Sequence, residues 1–150
     1  MSEGMREIPA PPAIRPAAGS LCIVMACADM SEADLVSRQL QELNKGCLVT
    51  NRRAEDLMCN APAGMVALVI LATTDAPTVL ARTLKWLRRR WPGCPITVVG
   101  DVGSGRHEMV AREGAAWYLT RPVSAEEWAA ILSHALGEPA AHQIRSWLRR

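Results

Sequence analysis

Few side chains in this sequence have the types and spacing that chemistry needs. The richest stretch is Gly100-Asp101-Val102-Gly103-Ser104-Gly105-Arg106. Between a strand and a helix, such a loop can turn backbone N–H groups towards a phosphate. It matches neither the Gly-x-Gly-x-x-Gly dinucleotide turn nor the phosphate-loop pattern with its lysine. A nucleotide or phosphate on Gly100, Gly103, Ser104, Gly105 and Arg106 is therefore the minor reading, and a glycine-rich turn the plainer one. The cysteines, at 22, 27, 47, 59 and 94, form no Cys-x-x-Cys pair, and no histidine lies at zinc-ligand spacing. His107, His134 and His142 fall on helices or the tail and suggest no Ser/His/Asp or Cys/His set. No cofactor is expected.

The elements that must position these residues follow from hydrophobic patterning. Leu21–Cys27 is an unbroken apolar run, the mark of a parallel strand covered on both faces. Ser31 opens a helix whose buried face is Val36, Leu40 and Leu43, ended by Gly46. Cys47–Thr50 is a short second strand, and 51–60 reads as a weak second helix closed by Pro62. Met65–Ala72 is the third strand. A long helix over Pro77–Arg90 carries one apolar stripe, Leu80, Leu84, Leu87 and Trp91, with Arg82, Lys85 and Arg89 on the solvent side. Pro95–Gly100 is the fourth strand, a short fourth helix ends at Gly114, and Ala116–Thr120 is the fifth strand. The fifth helix runs from Ser124 to about Leu136, with Ser124 and Glu127 spaced as a capping box.

Alternating strands and helices predict an α/β fold with a parallel sheet. The expected form is flavodoxin-like, a (βα)5 three-layer sandwich with five parallel strands in the order 2-1-3-4-5. We expect a flexible proline-rich leader over 1–19, one domain over 20–137 and a short basic amphipathic tail over 138–150. With 150 residues and 49% apolar content, one well-filled core is affordable in size. Phenylalanine is absent, so filling falls on Leu, Val, Ile, Met and Ala. A net charge of +2 is too small to call for nucleic acid. The Arg88-Arg89-Arg90 run reads as a solvated face and a favourable helix C-terminus. No span or signal segment is seen, so a cytoplasmic protein with reduced, mostly buried thiols is expected, off the membrane. Redox sensing by Cys27 or Cys59 has no support in the sequence.

The stretch Gly114-Ala115-Ala116-Trp117-Tyr118-Leu119-Thr120-Arg121-Pro122-Val123-Ser124 resembles the last strand and turn of response-regulator receiver domains. Members of that family read roughly Gly-Ala-x-x-Tyr-Leu-x-Lys-Pro-x-Ser/Thr there, and the departure is Arg121 in place of lysine. The resemblance covers about residues 20–137 and is specific mainly in this stretch. It implies a crevice at the carboxyl ends of the strands, where two acids after the first strand and one aspartate ending the third hold Mg²⁺. It also implies a phosphoryl acceptor at that aspartate, a hydroxyl ending the fourth strand and a lysine ending the fifth.

In this chain the acceptor position is Ala72, the hydroxyl position is Gly100 and the lysine is Arg121. The neighbouring Thr73, Thr74 and Asp75 do not replace the acceptor. Asp29 is the single acid expected after the first strand; a helix-start residue is as good a reading of it as a metal ligand. Tyr118 matches an aromatic the family uses as a rotating switch. The pattern resembles a pseudo-receiver: non-catalytic, and acting in two-component or phosphorelay-type signalling as a phosphorylation-independent protein–protein adaptor. The resemblance implies protein partners, with homodimerisation an option, on the face made by the fourth helix, fifth strand and fifth helix. Carried over by position, that face includes His107, Arg112, Trp117, Tyr118, Arg121 and Glu127. A small-ligand sensor using the 100–106 loop is the alternative. An Arg-x-x-Asp spacing at Arg53 and Asp56 resembles cyclic-dinucleotide motifs, but a solvated helix start explains it better.

Overall fold

The computed structural model describes residues 21–60, 62, 65–73 and 75–137. The predicted leader and tail, and with them Thr74 and His142, lie outside the described residues. Five strands, β1 (Leu21–Cys27), β2 (Cys47–Asn51), β3 (Met65–Ala72), β4 (Ile96–Gly100) and β5 (Trp117–Thr120), form one sheet. All neighbouring pairs are parallel. Their order is β2-β1-β3-β4-β5, the 2-1-3-4-5 arrangement that the patterning predicts. Four α-helices connect or follow them: α1 (Met30–Leu43), α2 (Pro77–Arg90), α3 (Gly105–Glu113) and α4 (Ala125–Ala135). None is long and apolar enough to cross a membrane.

Successive strand residues point to opposite faces, and the core splits accordingly. Ile23, Met25, Cys27, Leu68, Ile70 and Ala72 face α1 and α4, meeting Val36, Leu40, Trp128, Ile131 and Leu132. Val24, Ala26, Val69, Leu71, Ile96 and Val98 face the other way, onto Leu57, Leu80, Leu84, Leu87 and Ala111. This is why β1 reads as a continuous apolar run: both of its faces are covered. Trp128, fully buried, heads the large core side chains in a chain without phenylalanine.

Beyond one-residue shifts at the starts of β4 and β5, three boundaries differ from the expectations. The segment 51–60 makes no α-helix. Asn51 extends β2, opposite Ala26, and only a 3₁₀ turn, Ala54–Met58, follows. Asn60 closes that turn by donating through Nδ2 to the Asn51 side chain and to the Asp56 carbonyl, both at 3.1 Å. The fourth and fifth predicted helices are therefore α3 and α4. The opener of α1 is Asp29 rather than Ser31: its carboxylate accepts from the Ser31 N–H at 2.9 Å and the Ser31 hydroxyl at 2.7 Å. At the other end the cap is Asn44, with φ 55, and Gly46 comes two residues later. The capping box on α4 forms as expected: Ser124 Oγ accepts from Glu127 N–H at 3.1 Å, and the Glu127 carboxylate accepts from Ser124 N–H at 2.9 Å.

Candidate functional site

The carboxyl ends of β1, β3, β4 and β5 meet at one edge of the sheet. Cys27 and Ala72 end β1 and β3 in register with each other, and Gly100 and Thr120 end β4 and β5 likewise. Arg121, the next residue, turns its side chain back across this edge. Its Nε donates to Glu32 Oε2 at 2.8 Å, and its Nη2 donates to Glu32 Oε1 at 3.2 Å and to the Ala72 carbonyl at 3.0 Å. Nη1 reaches Asp101 Oδ1 at 3.4 Å. The paired side chains are largely shielded, Arg121 24% and Glu32 12% exposed. Burial pulls the guanidinium pKa down, but the hydrogen bond and charge of Glu32, aided by Asp101, more than offset it, and the group is held firmly charged.

Glu32 escaped the sequence reading. Its signal was its place: the first turn of α1, three residues past Asp29, where a capping partner is expected. The fold sends it instead to Arg121, 89 positions away in sequence.

Gly100 and Tyr118 are coupled. A Cβ built on Gly100 would collide with the Tyr118 hydroxyl and come within 2.7 Å of Cζ. The tyrosine ring thus fills the space of the absent side chain. Its hydroxyl lies 3.4 Å from the Asp101 carbonyl. Burial raises its pKa, with the Ser104 hydrogen bond acting in the opposite direction. His107, half-buried, places Nε2 2.8 Å from the Asp75 carbonyl, and the Thr73 hydroxyl donates to Asp75 Oδ2 at 2.7 Å. Between these groups a crevice of about 80 Å³ remains, lined among others by Thr73, Gly100, Ser104, His107 and Arg121. That is far below the roughly 300–1,000 Å³ of ordinary ligand pockets.

The acids near the crevice do not fit the divalent ion that the resemblance implies. Asp29 is spent on capping α1, where two bonds from Ser31 hold its pKa low, Glu32 is bound by Arg121, and Asp75 by Thr73. The Ala72 carbonyl accepts from the guanidinium, and a positive charge that close repels a cation. Among the described residues no three His, Cys, Asp or Glu side chains gather as ligands. Cys27 lies beneath, fully buried, its thiol pKa raised by burial and then by the charges of Glu32 and Asp29. A protonated, enclosed thiol is a poor nucleophile.

The remaining predicted residues scatter. Gly103 takes φ 86 in the β4–α3 loop, Gly105 opens α3, and Ser104 precedes it without a side-chain cap bond. Arg106 is exposed. Arg112 pairs with Glu108 one turn earlier, at 2.7 Å, on the surface. Trp117 is half-buried against His134, with ring centroids 5.4 Å apart. Glu127 is engaged in the cap. Of the predicted site residues, Gly100, Ser104, His107 and Arg121 are brought together in the crevice, with Tyr118 lying over Gly100.

No protein-family model matches the chain, and no curated protein matches it. Solved structures do. The BeF3-activated receiver domain of DrrB, a Thermotoga maritima response regulator, aligns with a TM-score of 0.62 at 18% identity, over 79% of this chain and 98% of that one. The fold is that of CheY-like receiver domains. A CheY-like protein, TadZ, from Pseudomonas aeruginosa aligns with a TM-score of 0.59 at 15% identity, over 77% and 98% of the two chains. An orphan response regulator of H. pylori aligns at 0.61 and 16%, over 80% and 99%. At these identities the likeness is one of fold.

Proposed function

We propose that the chain is a pseudo-receiver: a receiver-fold signalling module that works by protein contact and does not take up a phosphoryl group. One observation carries this reading. At the end of β3, where aspartyl chemistry needs a carboxylate, stands the methyl group of Ala72, and the adjoining carbonyl is covered by the Arg121 guanidinium. Aspartyl phosphorylation requires an in-line carboxylate oxygen and a bound divalent ion. Here the Arg121 guanidinium lies on the Ala72 carbonyl and is paired with Glu32. Tyr118, seated over Gly100, has no hydroxyl side chain to follow, so the family's aromatic switch has nothing to read. Response regulators among the structural neighbours support a place in two-component signalling. The free thiols at 22, 27, 47, 59 and 94 suit a reducing cytoplasm. The surface of α3, β5 and α4, with Arg112 at its edge, is the first candidate for protein or self-contact.

A phosphate ligand on the 100–106 loop is the weaker reading. Asp101 places a carboxylate, 62% exposed, inside that loop, and like charge there repels an anion. The test of the main reading is direct: incubated with acetyl phosphate and Mg²⁺, the intact protein should show no added mass of about 80 Da, one phosphoryl group. A stoichiometric addition would overturn it.

A further inference from the structure

The outer side of α2 holds a set of cations that the fold does not use. Arg88 is fully engaged, donating to the carbonyls of Gly114, Cys94 and Ala115. Arg90 stacks over Trp91, 5.2 Å from the ring centroid. Arg82, Lys85 and Arg89 are exposed, and among the described residues none of the three has an ion-pair partner. Their spacing of three and four puts them on one helix face. Beside that face, between α2 and α3, runs a groove of about 670 Å³, within the usual range of binding grooves, roughly 300–1,000 Å³. Its apolar lining comes from Ala81, Leu84, Val110 and Ala115, and its α2 wall from Lys85 and Arg89.

We propose that this groove docks an acidic amphipathic helix of a protein partner. The proposal rests on the adaptor reading, for which it supplies a surface and the chemistry of the occupant. An apolar stripe at i, i+3, i+4 and i+7 would lie on the groove floor, as in other helix-in-groove complexes. Carboxylates along one edge of that stripe would meet Lys85 and Arg89, with Arg82 extending the row. Glu113, on the α3 side of the groove, repels acid there and so fixes which edge of the incoming helix faces α2. Nucleic acid fits less well. Trp86 and Trp91 pack edge to face against each other, with centroids 6.0 Å apart, and both rest on the core. Among the described residues no aromatic side chain lines the groove to stack a base, and its floor offers methyl groups to a sugar–phosphate chain.

The probe is a fluorescein-labelled synthetic helix with Leu at i, i+3, i+4 and i+7, Glu along one edge of that stripe and Ala or Gln elsewhere, titrated into the full chain. Controls are the same peptide with Lys for Glu and a single-stranded oligonucleotide. We expect saturable binding of the acidic peptide, weakened by salt, with amide shifts confined to α2 and α3. The double variant K85E/R89E should weaken it about tenfold or more, with an unchanged melting curve because both side chains are exposed. R89E alone should show a smaller loss. The proposal fails if the acidic peptide does not bind, if charge reversal leaves its affinity unchanged, if the Lys peptide binds as well, or if the oligonucleotide binds this face more tightly. The acetyl phosphate assay on the same samples separates the two readings. No added mass together with no peptide binding defeats the groove alone; added mass defeats the pseudo-receiver reading, on which the groove proposal rests.

Discussion

The edge of the sheet and the outer face of α2 use arginine in opposite ways. At the sheet edge Arg121 is enclosed, with a carboxylate clamped to two of its nitrogens and a backbone carbonyl on one of them. On α2, Arg82 and Arg89 are exposed and make no ion pair among the described residues. The same side chain is a structural tie in one place and a free charge in the other. What differs is the company the fold supplies: Glu32 arrives from α1 and Ala72 from β3, while among the described residues no acid pairs with the exposed cations of α2. A crevice whose polar groups are satisfied internally has little left to offer a ligand, and unpaired charge beside an apolar groove has more.

The strongest way to break this comparison is to remove the tie. Arg121→Ala leaves Glu32 shielded without its cation and the Ala72 carbonyl without its donor. Breaking one side of a buried pair costs roughly 3–5 kcal/mol, and partial exposure here lowers the expectation to about 2–3 kcal/mol. Urea unfolding should show a lower midpoint with an unchanged slope. The double variant Arg121→Ala, Glu32→Gln should recover part of the loss, because the stranded charge goes with its partner. A loss below about 0.5 kcal/mol would put Arg121 in the same class as the α2 cations.

Gly100→Thr is next. It installs the hydroxyl that a receiver of this pattern would carry, yet its Cβ collides with the Tyr118 ring as it lies now. Overpacking of this kind costs about 1–3 kcal/mol unless the ring can leave. If Tyr118 rotates out to solvent, stability is nearly kept and its hydroxyl titrates closer to the ordinary tyrosine value, since burial is what raises it. If the ring stays, Gly100→Thr destabilises, and Tyr118→Ala on that background restores stability. Either result reports whether the aromatic is locked over the crevice. Absorbance titration and urea unfolding distinguish them.

Much of this was legible in the chain itself. The two-sided burial of β1 and β3 is written in their unbroken apolar runs, the stripe on α2 in its i, i+4, i+7 leucines, and the α4 cap in Ser124 and Glu127. Sheet order followed from short alternating connections. The second helix was misread because Asn51 to Asn60 has helix-like spacing of Ala54 and Leu57 but too little length; the strand claims its start, and side-chain bonds from Asn60 close what remains as a 3₁₀ turn. The candidate site was half legible. Ala72 and Gly100 could be put at strand ends by counting along the apolar runs, and Arg121 just after the last strand from the turn motif. Their meaning could not, because it depends on contacts distant in sequence. Glu32 and Arg121 meet only when α1 and β5 are folded, and no local pattern announces that Tyr118 will occupy the space above Gly100. Sequence reports a glycine at Gly100; only packing reports that Tyr118 stands over it.

The finest test of the comparison lies within α2, between neighbours. Arg88 and Arg89 are chemically identical and adjacent, yet Arg88 holds three carbonyls, two of them, Gly114 and Ala115, in the turn before β5. Hydrogen bonds from a charged donor contribute about 1.5–3 kcal/mol each when buried, and these are partly wet. Arg88→Ala is therefore expected to cost about 2 kcal/mol in total, with faster amide exchange in the turn at Gly114 and Ala115. Arg89→Ala touches no such group and should stay within about 0.5 kcal/mol of the parent. Equal and small losses would mean that the carbonyls are served as well by water as by the guanidinium, and that α2 holds four idle cations instead of three. Equal and large losses would give Arg89 a structural partner, and the groove beside it would lose the unpaired charge that marks it as a docking surface.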